Sequence, residues 1–273
     1  MYHKVITTLG ICSALLISSH AYAGVWGVSG ELKKHTVELG TEMSYIKYEE
    51  PDYMEEVGMM YGIVGSYTYH DTLMAKAEFK SSMGYVDYDG KLANGTPYTI
   101  NGIQDYMIET RGLIGYDILM SDATYFTPYV GFGYRYLNDD ASCDVNAYER
   151  ESNYFYSPIG AEIITKLENG WSFGGIVEYD LFWYGLQRSH GEDIAEGVNT
   201  VNNDQHEGWG VRGSIKVMKE WDNVGIVVEP FVRYWSIGKS DTADITYEGT
   251  YIGFAHEPEN NSLEIGGKVA VIF

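Results

Sequence analysis

From Thr36 to the last residue the chain alternates apolar and polar positions, broken at intervals by short polar runs. Alternation with a period of two puts successive side chains on opposite faces of a β-strand. It predicts strands near Thr36–Tyr48, Glu55–Tyr69, Leu73–Val86, Asp105–Asp117, Thr124–Leu137, Asn153–Lys166, Trp171–Leu186, His206–Met218, Val224–Ser236 and Glu257–Phe273. The connections alternate in length. Short ones fall at His70-Asp71-Thr72, around Met120-Ser121-Asp122, at Glu168-Asn169-Gly170 and at Glu220-Trp221-Asp222-Asn223. Long polar ones fall at Asp87–Gln104, Asn138–Ser152, Gln187–Gln205 and Gly238–His256, and only the first connection, near Glu49–Met54, departs from the pattern by being short.

The two faces of each strand differ in chemistry. In Trp171–Leu186 one face carries Trp171, Phe173, Gly175, Val177, Tyr179, Leu181 and Trp183, uncharged throughout and aromatic at both ends. The other carries Ser172, Gly174, Ile176, Glu178, Asp180, Phe182 and Tyr184. The same parity across the chain gathers one charged set: Glu38, Glu42, Lys76, Glu78, Lys80, Glu109, Arg111, Arg135, Glu162, Lys166, Glu178, Asp180, Arg212, Lys216, Glu229, Arg233, Glu264 and Lys268. An apolar outside with aromatic girdles, a polar inside, short turns at one end and long loops at the other describe a membrane-spanning barrel. The expected fold is all-β, a transmembrane antiparallel up-and-down β-barrel of about ten strands. Both termini are expected in the periplasm and the long loops outside the cell. The mixed signs point to an ion-paired, filled interior, since small barrels are packed by side chains and open pores need roughly 16–18 strands.

The chain ends agree. Lys4 precedes an apolar run, Val5 to Ser18, and Ala21-Tyr22-Ala23 has the small-x-small form of a signal-peptidase site. Residues 1–23 are expected to be a signal peptide and residues 24–273 the barrel domain. The last strand carries Val269, Val271 and Phe273 on its apolar face, the terminal aromatic that barrel-assembly machinery is thought to read. The expected partners are therefore outer-membrane lipid and that machinery.

Composition narrows the function. With 18 basic and 39 acidic residues the net charge is -21, which excludes phosphate-backbone binding to nucleic acid. Mean hydropathy is -0.22, a value to which barrels are blind because lipid-facing and lumen-facing residues cancel. Of two cysteines, Cys12 lies in the leader and Cys143 in a loop, leaving no intrachain disulfide. No cofactor or metal is expected. The acidic loops, with Asp87, Asp89, Asp139 and Asp140, lack calcium-loop spacing and read as solvated charge.

Three clusters at the loop end carry candidate chemistry: Val86-Asp87-Tyr88-Asp89-Gly90, Ser189-His190-Gly191-Glu192-Asp193 and Asn203-Asp204-Gln205-His206-Glu207. The architecture and these pairs resemble the omptin family of outer-membrane proteases. Those are ten-stranded barrels with an Asp-x-Asp and an Asp-x-His pair at the extracellular rim. The resemblance implies a catalytic set of Asp87, Asp89, Asp204 and His206, with His206 as general base oriented by Asp204 and the first pair holding a water. Parity points Asp204 and His206 toward the lumen. It puts Asp87 and Asp89 on the lipid-side set with Tyr85, unless a bulge turns them. The Asp-x-His pair also lies later in its loop than in omptins. A second resemblance, to uncharacterised proteobacterial outer-membrane β-barrel proteins, rests on runs such as Gly112-Leu113-Ile114-Gly115-Tyr116-Asp117 and Pro230-Phe231-Val232-Arg233-Tyr234-Trp235. It implies fold and location but no activity. The leading expectation is a non-enzymatic outer-membrane protein with surface-exposed binding or structural loops. An omptin-like endopeptidase and a narrow channel or small-solute transporter are the alternatives.

Overall fold

A computed structural model describes residues 32–92 and 95–273; the expected leader lies outside these. The strands run β1 (His35–Glu50), β2 (Met54–Asp71), β3 (Leu73–Lys91), β4 (Pro97–Tyr116), β5 (Ile118–Ser121), β6 (Thr124–Asp140), β7 (Glu149–Lys166), β8 (Trp171–His190), β9 (Thr200–Gln205), β10 (Gly208–Glu220), β11 (Gly225–Ile237), β12 (Ala243–Tyr247), β13 (Thr250–Ala255) and β14 (Asn260–Ile272). All but β5, β9, β12 and β13 form an antiparallel barrel, each strand paired with the next in sequence. The seam is β1 on β14, from Glu38 opposite Ile272 to Glu49 opposite Asn261. Backbone bonds between Val37 and Phe273, 2.9 and 3.3 Å, extend it to the last residue. The up-and-down order follows from the tight turns. Asn169 and Gly170 supply positive φ (58° and 73°) between β7 and β8, the conformation that such turns require.

The alternation read from the sequence decides which face is which. Outward positions on β8 are exposed from Trp171 to Trp183, Val177 by 77%, whereas Asp180 between them is 0% exposed. At about 3.3 Å per residue and a tilt of about 45° the Trp171–Trp183 run covers roughly 28 Å, the thickness of a bilayer core. The upper edge of this belt is aromatic: Tyr45, Tyr85, Tyr106, Tyr136, Trp183 and Tyr234. Two to five residues further toward the loop end the outward positions turn polar, with Lys47, Glu49, Asp87, Asp89, Gln104, Asn138 and Arg188. Strands of up to 20 residues therefore rise well past the belt.

That overshoot corrects the loop boundaries. The expected loop Asp87–Gln104 is mostly hairpin, because β3 continues to Lys91 and β4 begins at Pro97. Asn138–Ser152 shrinks likewise to residues 141–148 between β6 and β7. Above the belt both faces are wet, so polar outward residues no longer signal a loop. Three further elements lie outside the expected strands. β5 pairs the start of β6. β9 pairs the top of β8, and β12 with β13 forms a separate hairpin above the barrel.

Candidate functional site

The eighteen charged positions assigned to the inner face do point inward, and they form stacked layers. At the level of the terminal end, Lys268 bridges Glu38 and Glu229, and Lys216 pairs with Glu162. Mid-barrel, Lys80 joins Glu42 at 2.9 Å and Glu264 at 2.8 Å, and Arg233 contacts the same two carboxylates at 3.0 and 3.1 Å. On the facing wall Arg212 reaches Glu178 and Asp180 at 2.8 Å and Glu109 at 2.9 Å, while Arg111 joins Glu78 and Glu178. A cavity of about 100 Å³ remains among these side chains, room for a few waters.

Above the charged layers two apolar clusters line the lumen. Tyr154, Tyr156, Phe182, Trp235 and Ile237 cluster on one side. Ile46, Met60, Val86, Ile103 and Met107 cluster on the other. Tyr156 is held by a hydrogen bond donated to Glu109 at 2.6 Å and by Trp235 edge-on at 4.9 Å. Its ring lies over Gly133, where a Cβ would come within 2.2 Å.

Beyond these clusters, above the belt, lies a buried acidic mouth that sequence reading missed. Arg150 pairs with Glu50 (2.8 Å), Asp139 (2.8 Å) and Glu56 (3.2 Å), and Glu257 stands 3.9 Å away. Asp105, opposite Asp139 in the β4–β6 ladder, has an inward carboxylate oxygen without a hydrogen-bond partner. Tyr48 donates to Glu50 at 3.2 Å and to Glu257 at 3.3 Å. Burial, reinforced by the neighbouring charge of Asp139, holds the Glu56 carboxyl well above its ordinary range. Burial and the Glu50 charge push Glu257 up to about 7. Arg150 and Asp139 fall inside the expected loop Asn138–Ser152, but lie on β7 and β6. The strand β7 begins in three consecutive charged residues, Glu149, Arg150 and Glu151, where no apolar alternation marks it.

The four residues implied by the omptin resemblance lie elsewhere. Asp87 and Asp89 are exposed on the outer face of β3. A bulge does exist there, but the extra residue is on β4, where Gly102 at φ 74° donates its N–H to Asp87 at 2.9 Å. The bulge therefore leaves β3 parity unchanged. Asp204 and His206 are also exposed and outward, which corrects the lumen-side expectation. The reason is the break at residues 206–207: β9 and β10 both run beside β8, but the parity set by β10 does not carry across the gap. β8 bulges in step, its extra residue Trp183 lying between the partners of Phe155 and Tyr156. Asp204 accepts from Tyr184, and His206 pairs with Asp241 at 3.2 Å rather than with Asp204. From β3 to β9 the wall crosses five strand spacings, about 24 Å at ~4.8 Å each. The structure thus brings neither pair into the lumen nor one pair to the other.

Comparison with solved structures is consistent with this architecture. The outer membrane protease OmpT from Escherichia coli superposes with a TM-score of 0.56 at 9% identity, over 90% of this chain and 100% of that one. This chain has the fold of an outer-membrane β-barrel. The translocator domain of the autotransporter NalP from Neisseria meningitidis matches at a TM-score of 0.44 and 12% identity, over 89% of each chain. OprG from Pseudomonas aeruginosa gives 0.35 and 9%, over 89% of this chain and 98% of that one. No protein-family model and no curated relative matches the sequence. At these identities the likeness to OmpT is one of fold alone.

Proposed function

We propose that this protein is a sealed outer-membrane barrel that presents its loop crown as a surface-exposed binding or structural platform, without peptidase activity and without a conducting lumen. The reading rests on one observation, a lumen crossed by layered ion pairs with apolar clusters above them. Ion flow would require breaking several buried pairs at once, each loss leaving an uncompensated charge at a cost of about 3–5 kcal/mol. A water activated between Asp87/Asp89 and Asp204/His206 would have to be held by groups on separate outer walls. In this reading both termini face the periplasm, the long loops face outward from the cell, and outer-membrane lipid surrounds the belt.

Three measurements on one refolded preparation and its cells test the reading. Planar bilayers containing the barrel should show no unitary conductance; regular current steps would restore the channel alternative. Wild type and His206→Ala should be equally inert toward a peptide library, and cleavage abolished by His206→Ala would restore the endopeptidase. Cys143 is exposed in the loop between β6 and β7. A membrane-impermeant maleimide should label it on intact cells, and labelling only after lysis would reverse the orientation.

A further inference from the structure

On the outer wall above the belt, the start of β7 and the end of β8 bring together Glu149, Glu151 and His190. One donor atom from each lies within 4.8 Å of the other two. His190 Nε2 faces Glu151 at 3.6 Å, is buried, and has no hydrogen-bond partner. His190 Nδ1 lies 3.2 Å from Glu192, which is itself fixed by the Thr200 hydroxyl at 2.9 Å. Glu149 accepts from the Asn138 amide at 2.6 Å, and its own N–H donates to Asp193 at 2.9 Å.

From this geometry we infer a binding site for a divalent transition-metal ion of the zinc class, with Glu149, Glu151 and His190 as ligands. Three features carry it. The carboxylate–imidazole contact from Glu192 to Nδ1 puts the ring proton on Nδ1, so that Nε2 presents its lone pair to the two glutamates; this is how metal-binding histidines are oriented. An imidazole with two carboxylates suits zinc or its first-row neighbours, whereas calcium and magnesium take all-oxygen sets. The ligands also need only small adjustments, since donors around a tetrahedral ion at about 2.1 Å sit roughly 3.4 Å apart.

Glu149 and Glu151 are two residues apart on one face of β7, and His190 comes from the neighbouring strand. Sequence spacing therefore hides the set, since neither the cysteine count nor calcium-loop spacing bears on it. Three protein ligands leave a fourth position open to solvent. A bound ion would tie the β6–β7 loop to the β8–β9 loop. The nearby cation is Arg188, 3.5 Å from Glu151 and 48% exposed, free to swing into water as the ion enters. Without an ion the same carboxylates stabilise a protonated imidazole. Burial acts to lower the His190 pKa, but the Glu192 hydrogen bond and the Glu149 charge outweigh it and hold the pKa above its usual value. Metal and proton therefore compete for Nε2.

Isothermal titration of the refolded barrel with zinc chloride at pH 7.5 should give one saturable site, unaffected by millimolar calcium. His190→Gln and Glu151→Gln should each weaken it at least tenfold, and His206→Gln should not. Unaltered zinc binding in His190→Gln and Glu151→Gln, or no stoichiometric binding to wild type, overturns the site. Wild-type protein supplies a readout that does not depend on variants folding. Zinc should protect His190, but not His206, from diethyl pyrocarbonate as read by mass spectrometry. Equal modification of both residues with and without zinc would equally rule it out.

Discussion

Arg212 shows how a single side chain holds the interior. It lies between Glu109, Glu178 and Asp180, and it covers the Tyr156 ring at 5.7 Å. Replacing it by Met keeps the volume and removes the charge, taking from Glu109 and Asp180 their salt-bridge partner while Glu178 keeps Arg111. The expected loss is about 3–5 kcal/mol of stability, read as a lower urea midpoint of the refolded barrel. Arg212→Lys should recover part of it, since one ammonium cannot match a guanidinium fork on several acceptors. At this scale the sequence was informative wherever a residue lay within the belt. There one face must be apolar and the other polar, and Glu178 and Asp180 could be placed inward from their neighbours alone. It was uninformative at Asp204 and His206, whose orientation depends on a two-residue break that leaves no mark in composition.

Among elements, the long strands were legible and the crown was not. β3 and β4 were cut short because Asp87 and Asp89 have the composition of a turn, although Val86 and Tyr88 keep the inward parity. The crown's acidic mouth spans β1, β2, β4, β6, β7 and the segment before β14, a convergence that no local window contains. It should respond to pH. Glu257 has a raised pKa in the folded barrel, so folding takes up a proton between the unfolded value near 4.5 and about 7. Its contribution is present in full below that window and is lost as pH rises through it, on the order of 3 kcal/mol. Protection factors against hydrogen exchange, corrected for the pH dependence of the intrinsic rate, should therefore be larger in residues 238–259 at pH 5 than at pH 8. Glu257→Gln, neutral throughout, should flatten the difference and slow exchange at pH 8. Unchanged pH dependence in that variant would remove Glu257 from the effect.

For the molecule as a whole, the usual arrangement of a globular protein is inverted, with salt bridges at the centre and hydrocarbon at the surface. The seam between β1 and β14 joins residues more than 200 positions apart, and it completes the cylinder. Until it forms, β1 and β14 each present a row of unpaired N–H and C=O groups. Ordering so long an intervening segment before any seam contact is rewarded makes this step slow. Gly40 makes the approach possible, because a Cβ there would meet Val269 O at 2.3 Å and the Ala270 Cβ at 2.5 Å. Gly40→Val should thus retard the appearance of the compact, heat-modifiable species on a gel far more than a matched substitution in a mid-sheet hairpin. The half-open intermediate would then persist, and with it the interval during which neighbouring chains can stitch themselves onto its edges. A glycine with no chemistry of its own would in this way set how long each new molecule remains vulnerable to aggregation.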